Sequence, residues 1–454
     1  MKNLIAGSPF RRMLLLFGLA LICIVHASAA PFTAGNLVIY RVGNGIDSLV
    51  NTGNPVFLDE YTPAGVLVQS IAMPTVVSGL NRRLVASGIA TSEGLLTRSA
   101  NAGFLFLTGY DSALPGAVML SGTASATVNR VVGRVNTNGI VDTTTALTDF
   151  ADANNPRSAV GSIGTNIWVA GGAGGIRFTT LGSTTSTQLS TTVTNLRQAN
   201  IFAAQLYVST GSGAAVRVGT VGTGIPMTSG QTITNLPAFP TTGSPFSYIF
   251  FDLSAGVPGV DTLYVADDGP PALTKYSLVA GNWVSNGSVG PDQAYRGITG
   301  TNVATTVTLY ATRQGGTGAA GGGVLVSLVD SSGYNGAFAG VPTVLATAAA
   351  NTAFRGIALA PVTTSAANAS VGGQVTSAKG RGLSKVIVTL SGGTLTEPLR
   401  AITSPFGYYR FDDVAVGQSY VISVTSKRNT FANPSRVATV NEDLQNEDFV
   451  ADAP

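Results

Sequence analysis

FLFLTGYD, residues 104–111, is a short run of apolar, β-branched and aromatic residues that stops at a turn, and the chain keeps returning to it. NIWVAGG follows at 166–172, QLYVST at 205–210, TLYVAD at 262–267 and TLYATR at 308–313, while LVIYRVG at 37–43 is a copy near the front. A strand signature that recurs with its turn marks an architecture whose units cannot bury themselves alone.

Each later copy follows a second apolar stretch that opens its unit. These openers are EGLLTRSA (93–100), RSAVGSIG (157–164), RQANIFAA (197–204), YIFFDLS (248–254), YRGITG (295–300) and FRGIALAP (354–361). Their spacing of roughly 40 to 65 residues is that of four-stranded propeller blades. The signature strand is apolar on both faces, as a strand sandwiched between neighbouring sheets must be. Small residues crowd the openers, as strands converging on an axis require.

The two ends of this region explain each other. FRGIALAP is an opener with no successor, and LVIYRVG, VFLDEY (56–61) and VLVQSI (66–71) are three strands with no opener. Joined in space they complete one blade and leave no open edge. The expected fold is all-β: a six-bladed β-propeller over 31–361, or a seven-bladed one if 93–157 hides a further unit.

The first 29 residues read as a secretory signal. Lys2, Arg11 and Arg12 precede an apolar run from Met13 to Val25, and Ala27-Ser28-Ala29 supplies small residues for cleavage. The run is too short to span a bilayer. Arg11-Arg12 raises twin-arginine export, against which Phe10 stands where Ser or Thr is usual, and Ile22 before Cys23 argues against a lipid anchor. Removing the signal takes three of the 25 basic residues, leaving 22 against 22 acids, so the mature chain is neutral and no nucleic-acid partner is expected. The only cysteine, Cys23, and the only histidine, His26, leave with it. Disulfides, Cys- or His-ligated metal and a histidine triad are thereby excluded, and no cofactor is expected.

After Pro361 a Ser/Thr/Ala linker at 362–369 leads to a stretch of different character, 370–454, which carries eight basic and eight acidic residues. Gly373, the strand SKVIVTL (384–390), the turn Thr403-Ser404-Pro405-Phe406-Gly407 before Tyr408-Tyr409-Arg410-Phe411, Gly417 and the strand at Tyr420-Val421-Ile422 resemble the carboxypeptidase-regulatory-like domain. That family is a small prealbumin-type (CnaB-like) β-sandwich, and the resemblance implies a non-catalytic accessory or stalk module. Ser404-Pro405 stands where many members carry Asp or Asn. The propeller half resembles secreted bacterial β-propellers in architecture alone.

Candidate chemistry is sparse. Gly316 to Gly321 match GxGxxG, but a strand rather than a phosphate-facing helix follows. Asp267-Asp268 and Asp412-Asp413 are hard donors without the alternating spacing of a calcium loop. Before Pro361 the mature chain has two glutamates, Glu60 and Glu93, and one lysine, Lys275. The notable constellation is Arg157, Arg197, Arg296 and Arg355, each at the start of an opener, with Glu93 at the matching place. Two arrangements are open. Either they converge on one channel mouth and favour a carboxylate, sulfate or phosphate ligand, or each reaches sideways to an acid such as Asp149 or Asp292, or to loop carbonyls.

From the sequence we expect a secreted or cell-envelope, monomeric, non-catalytic binding protein that takes a glycan or another extracellular protein, with no membrane insertion once the signal is cleaved. The alternatives are a polysaccharide-active hydrolase or lyase using Asp/Glu, and a structural surface or matrix component.

Overall fold

The computed structural model describes residues 29–454 except 270, 292, 314–317, 364–368, 394, 396, 417, 441–442 and 454. The signal reading over 1–28, Cys23, His26, Asp292, Gly316 and Gly417 lie outside the described residues. Among those described there is no α-helix, only a 3-10 turn at Leu120–Gly122 among strands. No helix is long and apolar enough to cross a membrane.

Residues 37–359 repeat antiparallel units that run from an inner to an outer strand; four of them are separate four-stranded sheets, while the first two share one ten-stranded sheet bridged by Val85–Ala86. The second unit comprises Thr97–Arg98, Phe104–Tyr110, Arg130–Asn136 and Val141–Leu147. The third runs through Pro156–Gly161 and Asn166–Gly171, the fourth through Ala199–Phe202 and Gln205–Ser209. The fifth opens with Pro245–Phe251 and Thr262–Asp268, the sixth with Tyr295–Val303 and Thr306–Arg313. The first unit draws on both ends of the region. Thr352–Leu359 pairs with Leu37–Val42, with Val38 opposite Ala358 and Ile39 opposite Ile357, and Asn54–Tyr61 and Leu67–Ala72 follow outward.

The units are bonded in cyclic order. Gly356 N–H donates to Gly94 O at 2.8 Å and Leu95 N–H to Arg157 O at 3.1 Å. Ser158 Oγ donates to Arg197 O and Ser209 Oγ to Phe246 O, both at 2.8 Å. Ile298 N–H reaches Ser247 Oγ at 3.3 Å, and Thr312 Oγ donates to Arg355 O. The first strands therefore surround an axis, and the arrangement is propeller-like. Gly356 sits where a Cβ would strike the backbone of Gly94 to Leu96, so the closure between the first and second units needs glycine there. The same crowding shortens the EGLLTRSA opener to Thr97–Arg98, because Gly94 and Leu95 bond to neighbouring units rather than to their own sheet.

Signature strands fill the spaces between sheets: Leu105, Phe106, Leu107, Trp168, Val169, Leu206, Leu263 and Tyr264 are all fully buried. Tyr207 and Phe250 bring rings from adjacent units to a centroid separation of 4.7 Å. Burying such side chains contributes roughly 1.5–3 kcal/mol each before entropic costs, and the repeated apolar strand makes each unit depend on the next.

The strands of 369–450 lie in two further sheets. One holds Tyr408–Val414, Ala369–Thr376 and Phe449–Val450; the other holds Leu399–Ile402, Ile387–Gly392, Gln418–Thr425 and Ser435–Val440. Val371, Val388, Leu390, Tyr409, Phe411, Tyr420 and Ile422 pack between them in one core. The alternation of Val388 and Leu390 inward against Ile387 outward follows the two-residue period of a half-buried strand.

Candidate functional site

Where an inner strand starts, the second strand of its unit ends, so one mouth of the ring is built from both. Arg157, Arg296 and Arg355 lie in inner strands, and Arg197 lies two residues before one. Each guanidinium is anchored sideways. Arg157 Nη1 donates to Asn195 Oδ1 at 2.6 Å and Leu196 O at 3.0 Å, and Arg197 Nη1 to Ser244 O at 2.6 Å. Arg355 Nη2 donates to Gly88 O at 2.8 Å. Arg296 Nη2 pairs with Asp268 at 3.2 Å. Asp149, considered from the sequence as a partner, instead binds Arg177 at 3.1 Å.

The anchored groups also stand in one another's fields. Burial lowers Arg197 to about 10, with Arg157 and Arg296 pushing the same way and Asp268 and Asp267 opposing. Burial likewise lowers Arg355 to about 10, partly offset by Glu93. Both guanidiniums remain charged at neutral pH. Phe246 carries Arg197 at 3.7 Å and Arg296 at 5.2 Å from its ring centroid, a shared cation–π contact. Gly172 and Gly211 end the signature strands beside Arg157 and Arg197, and a Cβ at either would come within about 3.0 Å of the guanidinium. The absence of side chains there is what leaves the arginines room. Arg157 Nε and Arg355 Nε are buried without a hydrogen-bond partner.

Glu93 is the acid on the opposite side. Its carboxylate accepts from Tyr110 Oη at 2.6 Å, from Asn155 Nδ2 and from Ser87 N–H at 3.1 Å. Burial raises its pKa, and these bonds together with the field of Arg355 only partly offset that. Asp267 is raised by burial too, while accepting from Ser244 N–H at 2.8 Å and Gly269 N–H at 2.7 Å. Two carboxyls raised by burial therefore stand beside guanidiniums, Glu93 in the field of Arg355 and Asp267 in that of Arg197. Such groups can bind an anion and pass protons to or from it.

The sequence singled out the arginines and Glu93 but missed Tyr110, Asn155 and Phe246, which lie apart in the chain and carry no motif. Asp267-Asp268 was visible as an acidic pair; its place beside Arg197 and Arg296 was not. No group of acids able to hold a metal occurs among the described residues. Lys275 is fully buried, salt-bridged to Asp330 at 2.9 Å and bonded to Ser332 Oγ at 2.7 Å, so it is a paired cation and not a base for a serine nucleophile. After the GxGxxG segment comes the strand Val324–Asp330.

No protein-family model matches the chain, and no curated protein matches it. Among solved structures it is similar to the periplasmic gluconolactonase of Pseudomonas aeruginosa, at 12% identity over 90% of this chain and 100% of that one, with a TM-score of 0.39. It is similar also to the soluble aldose sugar dehydrogenase of Escherichia coli, at 13% identity over 65% of this chain and 99% of that one, with a TM-score of 0.38. At these values the likeness assigns neither substrate nor residues. Both are by name enzymes of sugars or their lactones, against the non-catalytic binding expected from the sequence and in line with its alternative, a polysaccharide-active enzyme.

Proposed function

We propose that this chain is an exported enzyme of carbohydrate chemistry, a six-bladed β-propeller whose arginine-lined mouth acts on an acidic polysaccharide by hydrolysis or elimination. The carboxypeptidase-regulatory-like sandwich follows as an accessory module. Export is inferred from the basic, apolar and small-residue leader, which points to the periplasm, the cell envelope or the medium. What supports the reading is the placement of Arg157, Arg296 and Arg355 in inner strands with Arg197 close by, Glu93 lying in the field of Arg355 and Asp267 in that of Arg197, and both carboxyls raised by burial.

The guanidiniums suit a uronate carboxylate, which planar N–H pairs bind with two hydrogen bonds. Binding that carboxylate also withdraws charge and makes the adjacent C–H easier to ionise. In such a reaction one carboxyl donates a proton to the leaving glycosidic oxygen and the other acts as base. Glu93 and Asp267 are the residues assigned to proton transfer, with the arginines holding the substrate.

The test uses the mature protein with polygalacturonate and alginate, with a neutral glucan as control. Release of reducing ends, and the ultraviolet absorbance of a newly formed double bond, report the two reactions. Arg157→Ala/Arg197→Ala is expected to raise KM, and Glu93→Gln or Asp267→Asn to lower kcat by about 10²–10⁴. Turnover that survives all of these substitutions, or that is confined to the neutral glucan, overturns the reading.

A further inference from the structure

The sandwich has a cleft of its own, far in sequence from the ring's mouth. It measures about 640 Å³ and is lined by residues including Arg400, Ile402, Tyr408, Arg410, Gly372 and Gln445. Its size falls within the range of small-ligand sites. The strands Leu399–Ile402 and Tyr408–Val414 flank it, each at the end of its sheet with one bonded neighbour.

Three features stand out. Tyr408 is 58% exposed beside Ile402 at 68% and Phe406 at 74%, a run of large apolar side chains left in water. Arg400 is exposed with no acid or hydrogen-bond partner among the described residues, whereas Arg410 is paired with Asp412 at 2.6 Å. Gly372, a buried position opposite Arg410 in the neighbouring strand, forms part of the cleft's lining, and its amide is already bonded to Leu444 O at 2.7 Å.

We infer that this cleft is a second carbohydrate site, one that holds an acidic polysaccharide chain without acting on it. A sugar ring lays its C–H face on an aromatic ring, its hydroxyls bond to polar groups such as Ser404 and Gln445, and its carboxylate meets the unpaired Arg400. A peptide added as a β-strand fits less well. The two flanking strands approach within 8 Å of each other, while a strand inserted between them needs about 4.8 Å on each side.

The proposal stands whether or not the mouth is catalytic, and the experiment separates the two. The mature full-length protein is run through native gels containing polygalacturonate or its methyl ester. Retardation by polygalacturonate alone is expected. Tyr408→Ala/Arg400→Ala weakens the apparent affinity by about tenfold or more and leaves turnover of short oligomers unchanged. Arg157→Ala/Arg197→Ala tests the mouth and keeps most of the retardation. The single Arg400→Ala, at an exposed position, guards against misfolding of the double variant. Wild-type protein that passes both gels freely, or is slowed equally by the ester, overturns the inference. So does a cleft variant slowed as much as wild type.

Discussion

Glu93 is where burial and charge conflict most directly. It accepts bonds from Tyr110, Asn155 and the Ser87 amide while being 5% exposed. Truncation to Ala strands those donors, each costing about 1–3 kcal/mol when left unpaired. Gln keeps the shape and removes the charge. Because the folded pKa is raised, the sign is the reverse of an ordinary salt-bridged acid. The folded state holds its proton more tightly, so the group's contribution is fully present below the unfolded pKa of about 4.3 and is lost as pH rises through the folded value. Melting temperatures of wild type, Glu93→Gln and Glu93→Ala, measured from about pH 4 to pH 8, are expected to show Gln gaining on wild type as pH rises. Ala is expected to be the least stable throughout. A Gln variant that loses ground with rising pH would show that the hydrogen bonds outweigh burial.

The element that decides the architecture is the pairing of Thr352–Leu359 with Leu37–Val42. It ties the last inner strand to the first signature strand, so every unit has a neighbour on both sides and no sheet face is left uncovered. Val38 and Ala358 are directly opposite and both buried on the same side of the pair. Val38→Cys/Ala358→Cys is expected to oxidise readily and to stabilise the ring by about 2–4 kcal/mol, since the bond closes a loop spanning nearly all the units. Cys23 is the only native cysteine, so a protein begun at residue 30 carries no other thiol to mispair. Melting with and without reductant reads the difference. Equal values in the two conditions, with the bond verified by mass, would mean that the closure does not limit unfolding.

At the scale of the molecule, the core of the sandwich draws its buried members from Ala369 to Phe449 alone. A body of that size is near the lower limit for independent stability, with about 5 kcal/mol a reasonable expectation. Residues 362–454 expressed alone are expected to unfold cooperatively at the temperature of one of two transitions in the full protein. A single transition in the full chain, with no folded fragment, would make the sandwich dependent on the ring.

Much of this was legible beforehand because strand chemistry is local. FLFLTGYD and its copies declare a doubly buried strand by composition, and the orphan opener FRGIALAP with the orphan strands from Leu37 announces the closure by simple matching of parts. The start of each opener placed Arg157, Arg197, Arg296 and Arg355 in equivalent positions. What linear order could not supply was the company they keep. Tyr110 meets Glu93 across 17 residues, Asn155 across 62, and Phe246 lies under guanidiniums from two different units. Proton affinity depends on burial and on charges brought close by folding, neither of which is a property of position in the chain. So the sequence determined the strands, their repetition and how the ring closes, while only the tertiary structure decided that Glu93 is buried against Tyr110 and Asn155 and that Arg296 pairs with Asp268, because those contacts join positions far apart in the chain.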